Sequence, residues 1–239
     1  IYCKDEVVKM YQETNVPDIW QYNDVNPTWH SPNSPFEISF AQTRETLMDI
    51  EVFKAFLDNA ISRFRHSRTY KHYKAHLMEM GLNRCQFQGN IKSDIDQEMA
   101  TIEMHHNILT IFDVALIITE HMLNVQGAIT TFDLVELLKR EHINHRVCTV
   151  MLSKTAHQLV HSDPNFVVPP SMCFGNWPEF LRLYHTGITR DICFKLLYYI
   201  KKVVDKKEES LENTTKLLRL RDDIVNWSEW NERGILTTN

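Results

Sequence analysis

The chain has 239 residues, 43% of them apolar, enough to bury one large core or two small ones, so general disorder is excluded. Formal net charge is -5, and no stretch of about 18 uncharged apolar residues occurs, which excludes a helical membrane span; even "ILTIFDVALIITEH" is broken by Asp113, Glu120 and His121. Six glycines and eight prolines are few for the turns of an all-β protein, and five scattered cysteines without a C-x-x-C pair argue against a disulfide framework and a four-cysteine zinc module. The expectation is therefore a mainly α protein of α+β type in a reducing, cytoplasmic setting, with no secretory leader following Ile1.

In chain order, residues 1–45 contain "NVPDIWQYNDVNPTWHSPNSPF" and read as an irregular arm pinned by Trp20 and Trp29. Leu47, Ile50, Phe53, Phe56, Leu57 and Ile61 then recur at three and four, predicting a helix from near Thr43. A second, basic helix follows in a helical segment spanning 46–84, carrying Arg63, Arg65, Arg68, Lys71, Lys74 and Arg84 against the single acid Glu79, with Gly81 placed to end it. A charged helix is ordinarily a solvated face, yet six cations on one segment, with Tyr70 and Tyr73 among them, make it a candidate nucleic-acid surface, to which Lys154 can add.

The period shortens through "CQFQGNIKSDIDQEMATIEMHHNI", which reads as a hairpin. On a strand, Thr101, Glu103 and His105 share one face and Ile102, Met104 and His106 the other. Two helices are predicted across about 111–142, separated by Gly127, the second capped by Thr130 or Thr131 with Asp133 in its first turn. "HRVCTVML" is a short β run, Ser153 can cap the helix "KTAHQLVH", and "DPNFVVPPSMCFGNWP" is a loop. Residues 171–239 complete the chain with helices in "EFLRLYHTGI", "TRDICFKLLYYIKKVVDKK" and "SLENTTKLLRLRDDIVNWSEW".

Twelve histidines are an unusual number, and four of them are spaced for metal chemistry. His157 and His161 lie one helical turn apart on one face, so together they can hold an ion that needs a further protein donor. The doublet His105–His106 can supply it, because neighbouring strand residues point to opposite faces. Each pair alone reads more readily as two imidazoles that bind no metal.

"IEMHH" followed by a β run and "LSKTAHQLVH" resembles the HNH, or ββα-metal, nuclease site, closest to the colicin-type DNase variant with E-x-H-H on a strand and H-x-x-x-H on a helix. The resemblance covers two short blocks. It implies an embedded ββα-metal module at about 85–170 and a metal-dependent endonuclease hydrolysing phosphodiester bonds of DNA, or secondarily RNA. His106 would be the general base and Glu103 would orient the site. His105, His157 and His161 would ligate one divalent ion, for which Zn, Ni, Mn and Co suit imidazoles better than Mg.

The pattern departs from the family in two places. The residue that normally orients the base has no clear equivalent, with Cys148, Asn144 and His145 as the candidates, and the helices at 111–142 form an insertion between the two strands. The rival reading is a non-catalytic helical interaction subunit of a phage or bacterial complex with a structural or vestigial metal site. In it, protein partners would dock on the 111–142 insertion or the C-terminal helices. A third arrangement, a helical site from Asp113, His121 and His142, is a minor option.

Overall fold

A computed structural model describes residues 41–88, 101–163, 165–206, 219–222 and 225–226. The predicted N-terminal arm with Trp20 and Trp29, residues 89–100 of the predicted hairpin and most of the last predicted helix lie outside the described residues.

The described chain is mainly helical. A two-residue strand β1 (Gln42–Thr43) precedes helix α1 (Ile50–His66). Helix α1 begins later than its apolar spacing predicts, because Asp49 takes the N-cap and accepts from the backbone N–H groups of Glu51 and Val52. Ser67 then breaks the helical run: its extended backbone ends α1, while its hydroxyl caps α2 (Arg68–Glu79) by accepting from Tyr70 N. Gly81, at φ 93, follows α2 as expected.

Among the described residues, strand β2 (Ile102–His106) has a distant partner in sequence. It pairs antiparallel with β4 (Thr149–Ser153), from Ile102 opposite Ser153 to His106 opposite Thr149. The excursion between them holds α3 (Ile111–Gln126), β3 (Ala128–Ile129) and α4 (Thr131–Ile143). Both helices open on a capping box, Thr110 with Asp113 and Thr130 with Asp133, and α3 stops at Gly127 in the left-handed conformation. Strand β3 pairs with β1. After β4 the chain turns directly into α5 (Lys154–Ser162), capped by Ser153, and then runs through α6 (Trp177–Leu183) to α7 (Arg190–Lys206).

The apolar side chains gather in two clusters. The larger joins Leu57 and Phe64 of α1, Ile117 and Ile118 of α3, Leu134 and Leu138 of α4, Phe180 and Leu181 of α6, and Leu196 and Ile200 of α7. The smaller gathers around the β2–β4 pair, with Ile102, Met104 and Met151 on one face and Val150 and Leu152 on the other, together with Tyr73 and Leu77 of α2 and Ala156 of α5. Thus α2, the basic helix, packs an apolar and aromatic face on the same sheet that bears the histidine doublet.

A tight approach fixes α3 against the turn before α7. A Cβ on Gly187 would lie 2.0 Å from Ile117 O and 2.7 Å from His121 N, both backbone atoms that cannot swing away. Gly187→Ala should therefore destabilise the protein by about 3 kcal/mol, the upper range for overpacking, seen as a lower urea midpoint at unchanged slope. A shift below about 0.5 kcal/mol would show that the two segments separate freely.

Candidate functional site

The two-residue period of β2 divides the doublet. Glu103 and His105 face α5, while Ile102 and Met104 enter the smaller core and His106 turns inward. On α5, His157 and His161 sit one turn apart and close on His105. Ring centroids are 5.0 Å apart for His105–His157, 5.1 Å for His105–His161 and 4.8 Å for His157–His161. The two helical rings approach to 3.2 Å between their Nε2 atoms. One nitrogen from each of the three rings falls within 4.8 Å of the others.

Glu103 completes the group. His157 Nδ1 donates to Glu103 Oε2 at 2.5 Å, since a carboxylate oxygen accepts. With Nδ1 committed to Glu103, Nε2 is the nitrogen that His157 turns towards His161. Burial first, and the neighbouring His157 and His161 second, push His105 down to about 4, so at neutral pH it carries a free lone pair. The structure thus brings together Glu103, His105, His157 and His161.

His106 takes a different place. It is 8% exposed, and its Nε2 lies 2.9 Å from Nε2 of His142 on α4. His142 Nδ1 lies 2.7 Å from Leu138 O, and a carbonyl only accepts, so Nδ1 carries the proton of the neutral ring. His142 Nε2 is then an acceptor, and His106 Nε2–H donates to it. Phe64, Tyr70 and Tyr73 enclose His142. A general base needs a lone pair facing water; His106 instead commits its Nε2 proton inside the core, and its role as base is corrected accordingly.

The three candidate orienting residues make no described contact with the triad. Cys148 is buried with its thiol against that of Cys173, a contact that, together with burial, holds it protonated. Asn144 is the C-cap of α4. His145 adopts φ 51 and packs on Tyr73, His76 and Phe174. The minor helical site does not assemble either: Asp113 pairs with Lys195, and His121 with the Thr186 hydroxyl.

The basic residues are spread over two helices and beyond. Arg63, Arg65, Arg68, Lys71, Arg84 and Lys154 are exposed and Lys74 is half-buried. Arg63 is turned onto Asn59 within its own helix. Tyr73 is 3% exposed and Tyr70 packs edge-on against Phe64, so neither ring is presented for stacking with a base.

Fold and site together define a mainly helical protein with a strand–strand–helix unit carrying three convergent imidazoles. A family model described as bacteriophage G278-like virion protein matches residues 16–230, nearly the whole chain, and the chain belongs to that family. No curated protein and no solved structure matches it. Membership in a virion-protein family overturns the nuclease resemblance, and with it the expectation of an enzyme, a hydrolase and a DNA-cleaving endonuclease. Among the described residues no helix is long and apolar enough to cross a membrane.

His142, which the sequence offers only for a helical site with Asp113 and His121, is the missed partner of His106. It lies 36 positions from His106 on a helix of the insertion, and no local spacing in the sequence points to the pair. Its environment has a measurable consequence. Burial drives His142 down to about 4 from an ordinary 6.5, so between those values the unfolded chain binds a proton that the folded protein refuses. Stability should be flat above about pH 6.5, fall as pH drops towards 4 and level off below. This residue contributes up to about 1.4 kcal/mol per pH unit in that window. His142→Gln should flatten the urea-derived pH slope by that amount; an undiminished slope would assign the titration elsewhere.

Proposed function

We propose that this protein is a non-catalytic structural subunit of a phage particle, held there by contacts with other particle proteins. The family match over residues 16–230 carries the reading, and the burial of His106 against His142 supports it, because it removes the base that the hydrolytic scheme requires.

Docking surfaces are offered by the insertion and the last described long helix. Val125 of α3 and Phe132 of α4 are 62% and 56% exposed, and Phe194 and Tyr198, one turn apart on α7, are 57% and 59% exposed. Arg190 lies over the Phe194 ring and Lys202 over the Tyr198 ring, which gives α7 an outward ladder of cations and aromatics. Aromatic and arginine side chains of this kind anchor protein interfaces.

Quantitative mass spectrometry of density-purified particles should find the chain at a fixed copy number. Phe194→Ser combined with Tyr198→Ser should lower its incorporation several-fold while leaving the thermal midpoint of the isolated protein unchanged. Purified protein incubated with plasmid and Mg, Mn, Ni or Zn should leave supercoiled DNA intact. Absence from particles, or cutting that disappears in His157→Ala, would reject the structural reading.

A further inference from the structure

We propose that His105, His157 and His161 bind one divalent transition-metal ion, of the zinc, cobalt or nickel class, which staples α5 to β2. The geometry carries this independently of the particle reading. An ion about 2.0–2.1 Å from one nitrogen of each ring, at tetrahedral angles, sets those nitrogens about 3.3 Å apart and the ring centres about 5 Å apart. The observed ring spacings are 5.0, 5.1 and 4.8 Å, the His157–His161 nitrogens are 3.2 Å apart, and one nitrogen from each of the three rings lies within 4.8 Å of the others, so a small closure brings all three onto one ion. A hydrogen bond from His161 to His157 would account for one of these approaches but not for three rings at equal spacing, one of them on a different element. The mutual tilts of 66°, 80° and 73° are those of rings converging on a point rather than stacking.

Glu103 supplies the second observation. Its carboxylate accepts the Nδ1–H hydrogen bond of His157 at 2.5 Å, leaving Nε2 to ligate. A carboxylate behind an imidazole fixes the tautomer and the ring direction and raises the basicity of the ligating nitrogen. Glu103 is thus a positioning residue. Three imidazole donors with no carboxylate among them select Zn²⁺, Co²⁺ or Ni²⁺ over Mg²⁺ or Ca²⁺, which prefer oxygen.

The staple answers a deficit in packing. Ala156 is the single buried side chain of the nine-residue α5, with Val160 partly buried beside it, so little apolar surface holds this helix on the sheet. An ion shared between His105 on β2 and the two helical histidines joins segments more than 50 residues apart, and binding to the folded arrangement alone adds its free energy to folding.

Titration of the metal-stripped full-length protein with Zn²⁺, followed by calorimetry, should give one site per chain, and Co²⁺ should give the intense visible bands of a tetrahedral centre. Zn²⁺ should raise the thermal midpoint and a chelator should lower it. His161→Ala, at an exposed position where the fold is not at risk, should weaken binding at least about 100-fold, His161→Cys should restore it with a thiolate-to-Co²⁺ band, and Glu103→Gln should weaken it about 10- to 100-fold. His105→Ala distinguishes the three-ligand site from casual chelation by a helical histidine pair. If it binds Zn²⁺ as tightly as the native protein, or if the native protein takes up no stoichiometric ion, the proposal fails.

Discussion

The antiparallel register of β2 on β4 is the constraint on which the placement of the histidines rests. With His105 opposite Val150 and His106 opposite Thr149, the two neighbouring imidazoles go to opposite faces of the pair. One joins the histidines of α5, and the other enters the interior against α4. A slip of one residue would exchange them, placing Ile102 and Met104 on the side of α5 and Glu103 on the inward face beside Met151. The register is thus enforced by the alternation Ile102, Met104 against Glu103, His105, and it is reinforced on the far side of β4, where Gln86 N donates to Met151 O and Met151 N donates to Gln86 Oε1.

Several polar groups buried by this arrangement are paired in a way that ties the two cores together. The His106–His142 bond crosses from the strand pair to α4. Glu141, next in line on α4 and fully buried, pairs with Arg140 and Arg146 and accepts from the Tyr184 hydroxyl, so the negative charge lies among three donors. Burial and the Glu141 charge both hold Tyr184 protonated. Removing one member would leave a buried charge without its partner, which costs more than the intact network contributes. Helix α4 is therefore fixed both by Leu134 and Leu138 in the larger core and by polar bonds on either side of them.

Much of this was legible locally. Thr130 and Ser153 are caps, Gly81 and Gly127 are stops, and the alternation of "TIEMHH" places its side chains on the faces that a period of two demands. The i, i+4 spacing of His157 and His161 likewise puts them side by side. What escaped depends on separation along the chain. A strand with a distant partner looks the same in sequence as one with a near partner, so the pairing of Ile102–His106 with a strand that begins at Thr149 is not announced by any local pattern. Ser67 reads as one polar residue in a continuous basic helix, whereas its hydroxyl serves both to end one helix and to start the next. The meeting of His106 with His142 requires a helix of the insertion to cross behind the sheet, and no short-range pattern encodes that crossing.

The likeness to a nuclease site came from residues that the proposed metal binding would account for by itself. Two histidines a turn apart on a helix, a third on an adjoining strand and a carboxylate behind one of them are what three-imidazole coordination requires, whatever the ion then does. Hydrolysis adds a condition that spacing cannot express: a base beside the ion must keep a lone pair open to water. In "IEMHH" the residue at that position is His106, and its surroundings, not its identity, decide the matter. Enclosed with His142 under Phe64, Tyr70 and Tyr73, it donates to a neighbour and strengthens the interior. The same five-residue string can therefore belong to a hydrolase or to a subunit of a particle, and the helix that packs behind the second histidine separates the two.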